Sequence, residues 1–245
     1  MTAPTITGLD CGWMRTQSRT LSSDGGRDEI AIPVPAWLVR HPAGDVVFDA
    51  GLHPDLATST ESLGAIAKAF TIGLGPNGTV GPRLAEQGVD PTGPLTVVLS
   101  HGHFDHAGGL VDLPNARVIA NADEWRAAVD GDGYGVTMPD LGHDVLRIDG
   151  VHDVFGDGTL TCLPTPGHTC GHQSLRVLTA DGPVILAGDA CYFAQTLDDE
   201  VLPPFAHDHV RQLESLAMLQ RERATGTVIV PGHDAEMFNS MTSTR

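Results

Sequence analysis

The sequence predicts an α/β fold in which two packed sheets are covered by helices. Short apolar runs bounded by glycine and proline indicate buried strands, and amphipathic stretches between them indicate helices. The strands fall into two sets, each followed by helices, which favours two sheets packed face to face. Because no low-complexity tract or long linker divides the 245 residues, we expect one domain over 1–245.

Each of five predicted strands leads to a histidine or an aspartate. These strands and the residues that follow them are 46–48 with Asp49, 97–99 with His101, 160–163 with His168, 184–187 with Asp189, and 228–230 with His233. Sheet enzymes assemble their sites from polar groups that distant segments bring to strand ends. The pattern therefore predicts an active site built from these side chains.

Three segments are predicted to be helical. Segment 121–129 begins with Asn121 as a cap and has an acidic first turn. Segment 61–70 is a second candidate. The third segment, 208–223, is amphipathic, and the apolar positions at roughly helical spacing are Val210, Leu213, Leu216, Ala217, and Leu219 or Gln220.

The segment 101–106, HGHFDH, places three imidazoles and a carboxylate directly after a predicted strand. Neutral imidazole and carboxylate are ligands for zinc and similar divalent metals. Because a short loop fans its side chains in different directions, the four groups cannot all point at one ion. Two adjacent ions fit the pattern, with His101 and His103 for one and Asp105 and His106 for the other. The alternative is a histidine-rich surface loop without a metal.

The charge of the chain limits its partners. It carries 14 basic and 31 acidic residues, a formal charge of -17. This charge repels nucleic acid and anionic membranes, and it suits a neutral or weakly charged small substrate.

We find no signal peptide and no run of about 18 apolar residues that would span a membrane. The four cysteines lack CxxC spacing, which is typical of reduced thiols. We therefore expect a cytoplasmic protein that binds neither nucleic acid nor membrane.

Separated motifs resemble those of the metallo-β-lactamase superfamily: HGHFDH at 101–106, PGHTCGH, LAGDA and VPGHD. The resemblance implies an αββα sandwich, two mixed sheets flanked by helices, with a dinuclear metal site between the sheet edges. The ligands that it implies are His101, His103 and His168 for one ion, Asp105, His106 and His233 for the other, and Asp189 as a bridge between both. Two such ions can share a hydroxide and polarise a carbonyl.

Two residues are expected to lie behind these ligands. Asp49 resembles the superfamily's aspartate that supports a ligand, since ligating imidazoles commonly need a partner for their other nitrogen. The alternative for Asp49 is a strand-end aspartate that accepts turn amides. His172, four residues after His168, is interpreted as a hydrogen-bonded structural residue rather than a further ligand.

Within the superfamily, the closest resemblance is to N-acyl homoserine lactonases. SHGHFDHAGGL and TPGHTCGHQSL resemble two of that family's segments, although Cys170 stands where we expect proline. Tyr192 lies three residues after Asp189, as in those lactonases. A phenol hydroxyl near the metals would donate a hydrogen bond to the developing oxyanion; the alternative is a half-buried aromatic whose hydroxyl bonds the backbone.

The resemblance implies a lactonase that opens the homoserine lactone ring by attack of a metal-bridging hydroxide. In this reading Tyr192 stabilises the oxyanion and Asp105 carries a proton to the departing alkoxide. We expect two divalent ions, zinc before cobalt, manganese or iron, and a small-molecule lactone as partner, with a homodimer left open. The candidate substrate-pocket residues are Phe104, Met14, Phe70 and His207, and for Met14 and Phe70 core packing is the alternative.

Other superfamily activities are weaker alternatives. Another lactone, ester or thioester, as in glyoxalase II, would use a similar two-metal set. Glyoxalase II, however, needs a basic glutathione site, for which the tail 234–245 is short. Zinc β-lactamases are exported and usually lack an aspartate at position 105, and an RNA-processing nuclease would want a basic surface. A non-catalytic module with structural metals is the remaining interpretation.

Overall fold

The computed structural model describes residues 2–131, 138 and 140–242. Strands alternate with helices along these residues, as the sequence pattern predicts. The strands of the first sheet are β1 (Thr5–Gln17), β2 (Glu29–Arg40), β3 (Val46–Phe48), β4 (Thr71–Gly73), β5 (Thr96–Val98), β6 (Arg117–Asn121) and β7 (Asp144–Ile148). Those of the second sheet are β8 (His152–Asp153), β9 (Leu160–Pro164), β10 (Gln173–Thr179), β11 (Gly182–Gly188) and β12 (Val228–Pro231).

The helices follow strands or connect them. The α-helices are α1 (Ser18–Leu21), α2 (Val80–Glu86), α3 (Phe104–Ala107), α4 (Ala122–Asp130), α5 (Ala194–Asp199), α6 (His209–Ala224) and α7 (Ala235–Thr242). Short 3-10 helices lie at Pro54–Ala57, Glu61–Leu63, Ile66–Lys68 and Gly108–Asp112. None of the helices in the described residues combines the length and apolar composition that crossing a bilayer would need.

Both sheets are mixed. The first sheet runs in the order β4-β1-β2-β3-β5-β6-β7, with parallel pairing from β3 through β7 and antiparallel pairing elsewhere. The second runs β12-β11-β10-β9-β8, with β11 and β12 parallel. Because β3 and β5 are parallel, their carboxyl ends meet at one edge; the same holds for β11 and β12.

The core lies in three layers because both faces of each sheet are covered. Val98 and Leu186 belong to the core between the sheets. Val97 packs instead with residues of α2 and α4, and Ile185 with residues of α6. Strands buried on both faces have continuous apolar runs rather than alternation, which explains the runs in the sequence. The predicted αββα sandwich is confirmed.

The helix predicted over 61–70 is wrong. The structure has two short 3-10 helices there, Glu61–Leu63 and Ile66–Lys68. Gly64 lies between them with φ 54°, a left-handed conformation that favours glycine and ends a right-handed helix. The break leads the chain to Phe70 and the short edge strand β4.

The last long helix is confirmed, but its predicted buried face is partly wrong. Helix α6 begins after Asp208, whose side chain accepts hydrogen bonds from the next turn. Val210 is 67% exposed and Leu213 40% exposed. The residues that α6 buries are Gln212, Ser215, Leu216 and Leu219.

Helix α4 agrees with the prediction over 121–129. The side chain of Asn121 accepts hydrogen bonds from the amides of Asp123 and Glu124, as a cap does.

Most of the tail 234–245 forms helix α7, and residues 243–245 lie outside the described residues.

Candidate metal centre

Three imidazole nitrogens converge where the two sheets meet. His101 and His103 follow β5, and His168 follows β9. The distance from His101 Nε2 to His103 Nδ1 is 2.9 Å, and His168 Nε2 lies 2.9 Å from His103 Nδ1 and 3.2 Å from His101 Nε2. We call these three histidines the first cluster. Three nitrogen atoms facing a common point can offer their lone pairs to one cation.

A second cluster of potential ligand atoms comes from Asp105, His106 and His233. Asp105 and His106 lie in α3, and His233 follows β12. Asp105 Oδ2 is 3.7 Å from the Nε2 atoms of both His106 and His233. Each of the three side chains is buried. The grouping is the one that the family resemblance implies for the second ion.

Asp189 lies between the two clusters at the end of β11. Its Oδ2 atom is 3.3 Å from His168 Nε2 and 3.7 Å from His101 Nε2. Its Oδ1 atom is 3.2 Å from His106 Nε2 and 3.1 Å from His233 Nε2. One carboxylate oxygen therefore faces each cluster, which is the arrangement that a bridging ligand requires.

The outer nitrogens of two histidines have acceptor partners. His106 Nδ1 is 2.8 Å from Asp49 Oδ2, and His233 Nδ1 is 2.8 Å from the carbonyl oxygen of Pro33. A carbonyl or a carboxylate accepts the Nδ1 proton, so in the neutral form of each ring the Nε2 atom has the lone pair. Both Nε2 atoms lie close to Asp189 Oδ1, at 3.2 and 3.1 Å, and two acceptors at this distance need a cation or a proton between them.

A divalent cation fits these residues. The Nε2 atom of His106 and the Oδ1 atom of Asp189 are buried and have no hydrogen-bond partner in the described residues. Buried polar atoms without a partner are rare in folded proteins and indicate an absent ion or ligand. Neutral imidazole and carboxylate donors suit zinc and related first-row metals.

The electrostatics differ between the clusters. Burial lowers the pKa of His106, but the negative charges of Asp189, Asp105 and Asp49 outweigh it and hold that pKa well above the usual value. For His101, burial and the neighbouring histidines place the pKa well below the usual value. The first cluster therefore favours neutral imidazole, the form that binds metals.

Asp49 connects two loops behind the ligands. Its Oδ1 atom accepts the backbone N–H of Ser100 at 2.7 Å, and its Oδ2 atom accepts the Ser100 hydroxyl at 2.8 Å as well as the His106 proton. Asp49 has φ 61°, a conformation that non-glycine residues rarely adopt and that often marks a functional site. Asp49 therefore accepts both a backbone amide and an imidazole proton, and these are the contacts that the two interpretations from sequence assign to it.

His172 holds the backbone next to Asp189. Its Nε2 atom accepts the Asp189 N–H at 3.1 Å, and its Nδ1 atom lies 2.9 Å from the Thr165 hydroxyl. Burial lowers the pKa of His172 to about 3, so the ring is neutral. Both nitrogens have protein partners, which places His172 behind the clusters and not within either.

Tyr192 lies over both clusters. Its ring stacks on His233 with centroids 5.4 Å apart, and its hydroxyl is 3.4 Å from His168 Nδ1. Burial and the charges of Asp189 and Asp105 raise the pKa of the phenol well above its usual value, so the hydroxyl keeps its proton and can donate it to a ligand.

Two cavities border the clusters, and both have His103 and Phe205 in their linings. One, of about 350 Å³, is lined by His103, Asp105, Asp189, Tyr192 and His233 together with apolar side chains that include Met14, Phe70 and Phe104. We call it the apolar cavity. The other, of about 490 Å³, is lined by His103, His168, Cys170, Phe205, His207 and residues of α4. Three of the four predicted pocket residues thus share one cavity, whereas His207 lies in the other.

Some residues of the centre carry no sequence signal. The carbonyl of Pro33 lies in β2, 200 positions from the histidine that it binds, and backbone acceptors leave no pattern of residue types. Phe205, which borders both cavities, precedes α6 in a proline-rich segment without periodicity. Ser100, in contrast, directly precedes the HGHFDH motif and could have been found from that position.

Comparisons with known proteins agree with this geometry. The sequence model of the metallo-beta-lactamase superfamily matches residues 31–233. N-acyl homoserine lactonase AttM of Azorhizobium caulinodans is 32% identical over 233 residues, 89% of this chain and 88% of the relative. AiiA of Bacillus thuringiensis subsp. kurstaki, also an N-acyl homoserine lactonase, is 32% identical over 224 residues, 85% and 84% of the two chains. A solved N-acyl homoserine lactone hydrolase with N-hexanoyl-L-homoserine at its catalytic metal center superposes with a TM-score of 0.86 and 26% identity, covering 98% and 97% of the chains.

Proposed function

The chain belongs to the metallo-beta-lactamase superfamily, and from that membership we propose that it opens the lactone ring of N-acyl homoserine lactones with two divalent cations. The observation that carries the proposal is the position of Asp189, whose two oxygens face two separate ligand clusters beside the Tyr192 hydroxyl. The named lactonase activity of the relatives supports the choice of substrate.

We propose zinc for both ions. The first cluster, His101, His103 and His168, would hold one, and Asp105, His106 and His233 the other, with Asp189 bound to both. When bound, the two cations would supply Lewis acidity to the lactone carbonyl and would lower the pKa of a water, so that hydroxide is available at neutral pH.

Protein side chains would then guide the two halves of the reaction. As hydroxide adds to the carbonyl carbon, Tyr192 donates a hydrogen bond to the oxygen that becomes negative. When the bond between the carbonyl carbon and the ring oxygen breaks, that oxygen leaves as an alkoxide. Asp105, which faces the apolar cavity, would pass it the proton that remains on the attacking oxygen, while the proton lost when the water ionises goes to solvent. The product then carries a carboxylate and a hydroxyl, and one proton is released.

The apolar cavity suits the acyl chain. Its walls come from β1, β2 and the segment around Phe70, and they carry apolar side chains such as Met14 and Ile32. Burying a methylene in such surroundings stabilises a complex by about 0.8 kcal/mol. The second cavity is lined by Asp123, Arg126 and Asp130, and these charged groups disfavour an alkyl chain.

The test is to measure the hydrolysis of short- and long-acyl homoserine lactones by protein whose metal content is known. The release of protons monitors the reaction. We expect kcat/KM of about 10⁴ M⁻¹s⁻¹ or more, lost on chelation and restored by zinc. A glutathione thioester serves as the comparison substrate. Protein with two bound ions that hydrolyses the thioester and none of the lactones would contradict the proposal.

A further inference from the structure

Helix α4 begins beside the candidate metal centre and directs a glutamate at the loops that carry its first cluster. Glu124, in the first turn, is 0% exposed, although glutamate is almost never fully buried unless it is paired. The cap residue Asn121 fixes the start of the helix and accepts the Glu124 amide at 3.1 Å. The sequence predicts only an Asn cap and an acidic first turn at this position.

The Glu124 carboxylate accepts hydrogen bonds from two different loops. Its Oε1 atom accepts the N–H of Gly102 at 2.9 Å. Its Oε2 atom accepts the hydroxyl of Thr169 at 2.7 Å and the N–H of Gly171 at 3.0 Å. The thiol of Cys170 lies 3.9 Å from the same oxygen. A carboxylate is an acceptor only, and hydrogen bonds to a charged acceptor are stronger than neutral ones.

These two loops carry the whole first cluster. Gly102 lies between His101 and His103, and Thr169 directly follows His168. The fit against α4 is close, because a Cβ atom on Gly171 would lie 2.2 Å from Asn121 Oδ1 and 2.8 Å from Glu124 Cβ. One side chain therefore bridges the two loops from which the three imidazoles project.

We propose that Glu124 is a positioning residue that holds the loops of the first cluster at the spacing needed to bind a metal. The inference rests on the metal centre of the proposed function. Partners behind metal ligands commonly govern metal affinity, but Glu124 would act on the backbone of the ligand loops rather than on an imidazole. A residue that only stabilises the fold would change the unfolding temperature and leave the affinity of the folded protein for the ion unaltered.

The decisive variant is Glu124→Gln, which keeps the shape and removes one acceptor. One oxygen of the new amide can serve one loop, while its NH₂ group faces a donor of the other loop. We expect the affinity for zinc at one of the two sites to fall about 10- to 100-fold in competition with a chelator. The absorption spectrum of the cobalt-substituted protein should change as well, because it reports ligand geometry.

Two controls lie on the same helix. Ala128→Gly lowers the stability of α4 without removing any contact to the loops, and Asp123→Asn removes an exposed charge that pairs with Arg126 at 2.9 Å. We expect both to bind two ions with the affinity and cobalt spectrum of the wild type. Thermal unfolding of the metal-free proteins measures the stability change that each variant causes.

The results of these experiments distinguish a failure of this inference from a failure of the proposed function. Wild-type affinity and spectrum in Glu124→Gln, or an equal loss of affinity in Ala128→Gly, would overturn the inference. If Glu124→Gln does not fold, Thr169→Val removes only one of the contacts, and it must weaken the same site or the inference is wrong. Wild-type protein that binds two ions but opens no lactone contradicts the proposed function alone, whereas wild-type protein that binds no ion contradicts both.

Discussion

Asp49 accepts the Nδ1 proton of His106 across 2.8 Å and so turns the other ring nitrogen toward Asp189. We predict that Asp49→Asn weakens the binding of the second ion by about tenfold or more. Asparagine tolerates the positive φ of 61° at this position, so the backbone should survive. Ion affinity measured by chelator competition is the readout.

Asp153→Asn is the matched control for that variant. Asp153 also accepts backbone amides, those of Phe155, Gly156 and Gly158, but within the part of the chain that the structure describes it bonds no imidazole. If both variants lose stability equally and neither changes ion affinity, Asp49 is only a turn aspartate.

Tyr192→Phe should reduce kcat/KM by about 10²-fold, the usual cost of losing one donor to an oxyanion. The ring would still stack on His233, so we expect the metal content and the unfolding temperature to stay at the wild-type values. Steady-state kinetics on several lactones, with metal content determined on the same samples, checks this. Unchanged kcat/KM on every lactone would rule out the oxyanion role.

Asp105→Asn should lower kcat by about 10²- to 10⁴-fold, the range for a general acid or base, with a smaller change in KM. Its carboxylate lies 3.7 Å from the Nε2 atoms of both His106 and His233, so the variant is assayed with its ion content measured. Unchanged turnover at full metal content would remove Asp105 from the chemistry.

Phe70→Ala should raise KM for long-acyl lactones about tenfold and leave short-acyl lactones nearly unchanged, because truncation removes apolar contact to the distal methylenes. The Phe70 ring lies 6.3 Å from that of Phe104 in the wall of the apolar cavity. Phe155→Ala is the control, since Phe155 stacks on His41 and lines neither cavity. A chain-length profile equal to that of the wild type would place the acyl chain elsewhere.

The ligand segments could be predicted from sequence because chemistry and strand ends coincide there. HGHFDH follows a buried strand, and Asp189 and His233 also follow apolar runs. Parallel pairing brings the carboxyl ends of β3 and β5 together in one sheet and those of β11 and β12 together in the other. The pattern could not show which atoms face one another, such as the two oxygens of Asp189, because that depends on the docking of the two sheets.

The errors arise where tertiary contacts outweigh local preference. Helix α6 buries Gln212 and Ser215 because their side chains donate to the carbonyl oxygens of Asp189 and Pro166. A hydrophobicity pattern therefore finds Leu216 and Leu219 but misses the polar part of the buried face. Glu124 is buried for a similar reason, since its donors come from loops distant in sequence. Polar residues that bind the backbone across a fold leave no periodic signal.

The ligands of each proposed ion come from both sheets: the loop after β5 belongs to one, and His168, Asp189 and His233 follow strands of the other. A bound ion is therefore a cross-link between the layers, comparable to a disulfide that forms only in the folded state. Separating the layers with the proposed ion bound would break bonds to its ligands, so metal should slow global unfolding and not merely shift its equilibrium. The lifetime of the protein against proteolysis would then follow the supply of metal in its surroundings.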